Sequence, residues 1–531
     1  VKVILNREDS DTAVNVTPVE HASYKGKTHY LIYNCSFSRN GILVSNYVKT
    51  QESLLQHRRL EFGSGLSVYL KEYSRNATIN ITACRFVDNR APIGGGLRVE
   101  LDVHTEKHSF IIADTIFLSN KVMLNGGGAY IANLQSHDNT LIVFNITNCS
   151  FIDNVADEGG GVSLHGTLIQ LHYLQSSAIH FFFHRCTWHS NTGNWGAAMY
   201  LFSNHVIEDH FESRVLFSVQ IDGDTRFESN NAKQSGALYS ERVPFIFKDT
   251  TNFRRNEKTA VVLDGSTLLG YGHVEFANNL GYNGGALKIY GSSEIVAYPN
   301  ANITFVGNTC ENEGGALCIM NSKPLPSPCV FRFVDNVNIS VIFKDNKAVR
   351  GNSIFVSTLR NVCVHDGKSI LEMANKTKLN LAEIATDPVD IQYNQTDWVV
   401  APGEVFNPSV RVLDEVHNHL QGTCDVVITS VTPSGERLDR SSLFRITNAS
   451  LSGIRLVGEQ GSNYSVVLSC FGGKQEVEIK GAFRTCYPGF HFSPETSTCV
   501  CMKPAAETRG ISRCDSDGKT VWVKQGYWAG V

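Results

Sequence analysis

No stretch of about 18 consecutive apolar residues occurs in the chain, so nothing in it reads as a membrane-spanning helix. Charge of one sign is lacking too: 47 basic and 51 acidic residues leave a formal net charge of -4. There is no basic stripe with interleaved aromatics of the kind that grips phosphates, which argues against a nucleic-acid partner. Three chemical signatures are missing, H-E-x-x-H, G-x-x-x-x-G-K-S/T and G-x-S-x-G. Their absence removes the plainest forms of zinc hydrolase, phosphate cradle and nucleophile elbow, and no metal, cofactor or catalytic residue is indicated. The chain opens at Val1 with neither methionine nor an apolar leader, as expected of a processed or truncated N-terminus.

What is present is repetition. A length of 531 residues suggests several domains until internal periodicity is considered. The pattern F-x-x-N followed by G-G-A and an apolar residue recurs about ten times. Its intact forms are Phe276/Asn279 with Gly284-Gly285-Ala286-Leu287, and Phe305/Asn308 with Gly314-Gly315-Ala316-Leu317. Other copies start at Phe37/Asn40, Phe86/Asn89, Phe117/Asn120, Phe151/Asn154, Trp188/Asn191, Phe227/Asn230, Phe253/Asn256 and Phe343/Asn346. The third copy's glycine step reads Gly127-Gly128-Ala129-Tyr130, and the copy at Phe253 has lost its glycines, reading Ala260-Val261-Val262. A constant motif at variable spacing describes units with a fixed core and a loop of free length, which is solenoid behaviour.

Short apolar or alternating runs precede each aromatic, such as Leu141 to Phe144 and Phe181 to Phe183, and read as strands. Each coil then has three: the run ending in Phe, the run after the glycine step, and a variable third. An aromatic at one place per turn stacks on its equivalents at about 4.8 Å. Asn tolerates a left-handed corner and can hydrogen-bond to the next Asn, while glycine permits the tight turn. The expectation is an all-β chain: a right-handed parallel β-helix, roughly 50 Å long, its hand following from strand twist.

Fourteen cysteines point to an oxidising compartment. Cys35, Cys84, Cys149 and Cys186 each stand two residues before a motif aromatic. On adjacent coils they come within the disulfide window, predicting Cys35 to Cys84 and Cys149 to Cys186, with stacked free thiols as the alternative. Cys329 is expected to pair with Cys363, leaving Cys310 and Cys318 as a short loop pair. N-x-S/T sequons stand at Asn15, Asn34, Asn76, Asn80, Asn145, Asn148, Asn302, Asn338, Asn375, Asn394, Asn448 and Asn463. If the strands run unbroken, parity turns Asn34, Asn148, Asn302 and Asn338 outward. Asn80 and Asn145 then point inward and stay unglycosylated, while the other sequons are glycosylation candidates.

The repeat fades after Val356, giving a β-helix over residues 1–365 and a polar, helix-compatible linker over 366–385. Residues 386–484 alternate like the strands of an Ig-like β-sandwich, with Cys424 and Cys470 as its staple. Residues 485–531 form a cysteine-rich segment in which Cys486 to Cys499 and Cys501 to Cys514 are favoured among three pairings.

The repeats at Phe276 and Phe305 resemble those of the chlamydial polymorphic outer-membrane proteins. Large extracellular proteins of sponges and cnidarians look similar, with such repeats followed by a segment like Cys486-Tyr487-Pro488-Gly489-Phe490. The bacterial resemblance covers roughly residues 30 to 360 and implies a surface β-helix with adhesive roles; the outer-membrane barrel of that family is not among these residues. Sequons and cysteines favour the animal-type relatives.

Parallel β-helices also carry polysaccharide lyases and hydrolases, whose sites need clustered carboxylates or basic groups on one face. Asp88, Asp153, Asp335 and Asp345 each precede a motif Asn, and could form an acidic ladder or merely solvated turns. His165, His172, His180, His184 and His189 lie close in sequence without metal-ligand spacing. The expectation is therefore a non-enzymatic, extracellular or cell-surface structural or adhesive glycoprotein. Its partners would be other extracellular chains or cell-surface glycans, with a glycan-acting enzyme as the rival.

Overall fold

The computed structural model describes residues 2–5, 28–39, 65–70, 76–101, 107–136, 141–168, 178–204, 216–320, 330–333, 340–359, 380–394, 398–431, 437–447, 450–502, 511–516, 519–523 and 525. The chain divides into two compact units, Val1–Ile384 and Ala385–Val531.

The first unit is a parallel β-helix. Its post-glycine sheet runs from Leu66–Leu70 and Leu97–Leu101 through successive copies to Ile354–Val356. Two further sheets have ten strands each. The middle sheet holds the apolar runs, such as Leu141–Thr147, and the aromatic sheet holds the strands that carry the motif aromatic, such as Ser150–Ile152. Lys2–Leu5 lies antiparallel on Leu66–Leu70. Equivalent residues face one another on adjacent coils, for instance Phe86 opposite both Phe37 and Phe117.

Two internal columns follow from that register. The aromatics from Phe37 through Trp188 to Phe343 stack face to face, with centroids 4.5 to 5.3 Å apart. Burial of each ring contributes about 2–3 kcal/mol. Beside them, Asn89, Asn120, Asn154, Asn191, Asn230, Asn256, Asn279, Asn308 and Asn346 form a buried ladder. At Asn120 the backbone N–H and Nδ2 both donate to Asn154 Oδ1, at 3.0 and 2.9 Å, and Nδ2 also donates to the Phe86 carbonyl at 2.9 Å. The same three bonds recur at Asn154, Asn191, Asn230, Asn256, Asn279 and Asn308. A buried amide with every donor and acceptor met is compatible with a core that would otherwise exclude it. Asn40 lies outside the described residues.

The expectation of one unbroken strand leading into each aromatic is corrected. A left-handed residue separates the middle strand from the aromatic strand: Asn34, Ala83, Asp114, Asn148, Arg185 and Asp224 have φ between 50 and 58°. The kink shifts which alternate residues face the core. Ile79 and Ile81 point inward before it, Cys84 and Phe86 after it, and Asn80 faces outward. Asn145, His180 and His184 are outward for the same reason, contrary to parity counted through the corner.

The glycine step also shifts. Ala129 pairs with Leu97 and Val162, so the third copy's step is Gly126-Gly127-Gly128-Ala129. Gly126 has a φ of 69°, and a Cβ on Gly127 would sit 2.3 Å from the Gly160 carbonyl oxygen, so neither accepts a side chain without movement. In the copy without glycines, Lys258 and Thr259 take φ of 65° and 89° instead.

The expected pairs Cys35–Cys84, Cys149–Cys186 and Cys310–Cys318 are not formed; all six are free thiols. In-register parallel strands point equivalent side chains the same way at the strand spacing, which exceeds the Cβ separation of about 3.8 Å that a disulfide needs. The corner thiols instead meet carbonyls. Cys84 Sγ lies 3.3 Å from Thr82 O, Cys149 Sγ 3.3 Å from Thr147 O, and Cys186 Sγ 3.4 Å from Ile146 O. Thr115 fills the equivalent place between Cys84 and Cys149, with Oγ1 donating to Ala113 O at 2.8 Å. Cys310 Sγ faces the Tyr282 and Glu313 carbonyls. Cys329 and Cys363 lie outside the described residues.

In the second unit a five-stranded antiparallel sheet runs in the order Ser450–Leu451, Arg437–Thr447, Gly422–Val431, Asn463–Cys470 and Gln475–Ala482. A three-stranded sheet comprises Pro388–Tyr393, Val410–Asp414 and His419–Leu420. Val410 and Val412 from the smaller sheet share one core with Val426, Val466 and Leu468 from the larger. Cys424 and Cys470 are bonded directly across neighbouring strands of the larger sheet. Two short hairpins follow; Cys486–Cys499 ties the chain before the first hairpin to its second strand, and Cys501–Cys514 links the first hairpin to the second. Glu404, buried, joins these parts: it accepts from Ala401 N at 3.0 Å and Tyr487 OH at 3.2 Å, and pairs with Arg484 at 3.3 Å. Of the expected linker, Leu381–Glu383 forms a short 3-10 turn and residues 366–379 lie outside the described set.

Candidate interaction surface

The columns leave no polar group of a rung turned toward solvent, so chemistry has to be sought on the outward faces. A small cavity within the coils near Phe276 and Phe305 is walled by apolar side chains, among them Phe247, Leu268, Ile295 and Ile303.

The outer face of the middle sheet and its corner carry the sequons of the early coils. Asn34 and Asn148 occupy exposed left-handed corners, and Asn148 Nδ2 donates to Asp114 Oδ1 at 2.7 Å. Asn76 precedes the strand Ala77–Thr82, and Asn80 and Asn145 lie half-buried in outward positions, two coils apart with Ile111 between them. Asn302 is outward on the aromatic sheet; its amide oxygen, like that of Asn80, is buried with no hydrogen-bond partner among the described residues. Asn394 and Asn463 are exposed in the second unit. Asn15, Asn338, Asn375 and Asn448 lie outside the described residues.

On the same sheet His180 Nδ1 meets Ser218 Oγ at 2.8 Å and His184 Nδ1 meets Asp222 at 2.7 Å. They are separate pairs along one strand, so they assemble neither a triad nor a metal site. His189 is outward on its own strand, and His172 lies outside the described residues. Among the described residues no group of His, Cys, Asp and Glu converges as metal ligands. Asp88, Asp153 and Asp345 are the left-handed residues of a second corner, a place filled by Arg39, Ser119, Ser190, Ser229, Arg255 and Asn278 in other coils. The carboxylates are therefore interrupted and form no ladder; Asp335 lies outside the described residues.

The post-glycine sheet bears a cluster that the sequence reading missed. Tyr200, Tyr239 and Val262 point away from the coil core yet are buried, with Trp195, Phe202 and Tyr290 packed against them. Glu241 and Asp264 are paired in register on adjacent strands. Tyr239 OH donates to Asp264 Oδ2 at 3.2 Å, Tyr290 OH donates to Tyr239 OH at 2.9 Å, and Arg242 pairs with Glu241 at 3.2 Å. Burial raises both carboxyls above the ordinary range; Asp264 adds to the rise at Glu241, and the Tyr239 hydroxyl opposes it at Asp264. Aligning Leu-Tyr-Ser-Glu with Val-Val-Leu-Asp by the repeat would have placed the two acids together. On the same face His165 stands among Tyr130, Tyr200 and Phe202, with Nε2 2.9 Å from Ser163 Oγ. Burial pushes its imidazole down to about 4, which keeps it neutral at physiological pH.

These features define a parallel β-helix repeat protein with a disulfide-bonded C-terminal unit. Residues 302–319, which include Phe305, Asn308 and the Gly314 step, match the Chlamydia polymorphic membrane protein (Chlamydia_PMP) repeat. No curated protein matches the chain. Among solved structures there is a likeness to full-length tailspike protein 2 from Escherichia coli O157:H7 bacteriophage CAB120, at 11% identity and a TM-score of 0.16. It covers 79% of this chain and 64% of that one, too faint a likeness to bear on fold or activity.

Proposed function

We propose that the protein is an extracellular or cell-surface glycoprotein whose β-helix serves as a stiff, non-enzymatic rod for assembly with other protein chains or contact with cell-surface glycans. The observation that carries this is the closed interior: Asn rungs satisfy one another and aromatics stack on one another, leaving only the outer faces and loops for recognition. Disulfides in the second unit support an oxidising compartment. The shared core of the two antiparallel sheets supports reading residues 386–484 as a β-sandwich. Secretion from eukaryotic cells followed by glycopeptide mapping and cell-binding assays tests the reading. Glycan at Asn34 and Asn148 with retention on cells or on other matrix chains is expected, and unoccupied sequons with no retention would sink it.

A second reading rests on Glu241 and Asp264. Paired carboxyls of raised pKa are the equipment of a glycan-acting enzyme. Polysaccharide cleavage that is abolished in Glu241→Gln would displace the structural reading; no cleavage by the native chain across acidic and neutral polysaccharides removes the second one.

A further inference from the structure

Tyr271 and Tyr298 occupy equivalent places on successive coils. Each follows directly on a middle-sheet strand, Thr267–Gly270 and Glu294–Ala297, and these strands pair in register. Their backbones are fixed by bonds from Tyr271 N to Phe247 O and from Tyr298 N to Gly270 O, both 2.9 Å. The rings stack with centroids 4.1 Å apart and planes 12° from parallel, closer than any rung of the buried aromatic column. Unlike that column the pair reaches solvent, with Tyr271 38% exposed. Partial burial, and then the neighbouring Tyr298 hydroxyl, push the Tyr271 phenol up to about 12, so it stands as a neutral O–H at physiological pH.

We propose that Tyr271 and Tyr298 are a cross-linking site, joined as an ortho,ortho-dityrosine by a one-electron oxidant of the peroxidase and hydrogen peroxide class. Each phenol gives up one electron and its hydroxyl proton, forming two phenoxyl radicals. Their unpaired density lies partly on the ortho carbons, in π lobes normal to the rings, and face-to-face stacking aims those lobes at each other. The two electrons pair in a new C–C bond between ortho carbons. Each of those carbons then releases its hydrogen as a proton, one proton returns to each ring oxygen, and both phenols are restored. Hydrogen peroxide takes up the two electrons and the two protons first released, giving two waters. The product welds one coil to the next in a unit whose described cysteines are all free thiols.

The chain carries its own controls. Tyr200 and Tyr239 are also stacked, at 5.5 Å, but are buried at 7% and 4% exposure, beyond the reach of an oxidant. Tyr33 and Tyr282 are more exposed than Tyr271 and have no stacked ring among the described residues. In the test, the full chain is treated with a haem peroxidase and hydrogen peroxide, then followed by dityrosine fluorescence and peptide mass spectrometry. An intrachain peptide pair holding Tyr271 and Tyr298, lighter by two hydrogens, is expected. Tyr271→Phe and Tyr298→Phe, which keep the stacked rings, should each lose that product, while Tyr33→Phe and Tyr282→Phe should keep it. Chain-to-chain products through Tyr33 or Tyr282 in place of the intrachain pair, or unchanged dityrosine in Tyr271→Phe, would overturn the proposal.

Discussion

The coils and the C-terminal unit hold short strands together by opposite means. In Val1–Ile384 every described cysteine is a free thiol, and order passes from coil to coil through the aromatic and Asn columns. In Ala385–Val531 the described cysteines are bonded, and the last segment adds only Phe490 and Cys499, packed with Ala401, as a small core beside which two disulfides lie. The contrast shows what repetition substitutes for. A rung with an equivalent above and below finds its partners by stacking, and each added coil extends the same core. A segment without equivalents buries too little apolar surface to hold itself and relies on covalent loop closure.

The largest expected effect separates the two regions directly. Reducing Cys486–Cys499 and Cys501–Cys514, each closing a separation of 13 residues, should cost about 3 kcal/mol per bridge. Hydrogen exchange should then rise across 486–523 and stay unchanged in the coils; equal acceleration in both units would end the comparison. Phe227→Ala, which leaves a void between Trp188 and Phe253, should cost about 4 kcal/mol. Its exchange signature belongs in the neighbouring coils, with the C-terminal unit untouched. Asn230→Leu removes the oxygen that accepts from both Asn191 donors, and denaturant titration should show a loss of about 3 kcal/mol.

Acid should weaken the coils through His165. Its folded pKa is lowered to about 4 against an ordinary value near 6.5, so its contribution is complete above pH 6.5 and is lost as pH falls toward 4. His165→Gln should flatten that decline by about 2 kcal/mol, read as urea midpoints across the window. Glu241 and Asp264 act in the other direction: their raised carboxyls add stability at low pH that fades as pH rises through their folded values. The smallest effect is a gain. Lys258→Gly relieves a left-handed lysine, loses only a 4.0 Å ion pair with Glu311, and should raise stability by about 1 kcal/mol.

The fold was legible because Phe and Asn recur at a fixed offset and each has a physical reason to stack. Parity was not, because one left-handed residue such as Asn148 or Arg185 reverses the inward alternation, and Ala83 or Arg185 does not announce that conformation as glycine would. Corner thiols were misread as bonds for a related reason: spacing brings Cys149 and Cys186 onto adjacent coils, yet parallel strands hold their side chains side by side rather than converging. The Glu241 and Asp264 pair stayed hidden because its two acids belong to different copies, one with a glycine step and one without. Aligning the two copies on the apolar runs Leu238 to Glu241 and Val261 to Asp264, rather than on their glycines, brings them together.

The Asn ladder has a further property, which is electrical. From Asn89 to Asn308 each Nδ2 donates to the Oδ1 of the next coil, and none donates back. The side-chain amide dipoles, about 3.5 D each as in a peptide unit, therefore point the same way and add along the axis in a low-dielectric interior. The ladder has a positive end at Asn346 and a negative end at Asn89, its first described rung. Two such ladders brought end to end would attract pole to opposite pole and repel when one is turned about, so the coil stack carries a direction that its sequence of side chains alone does not display.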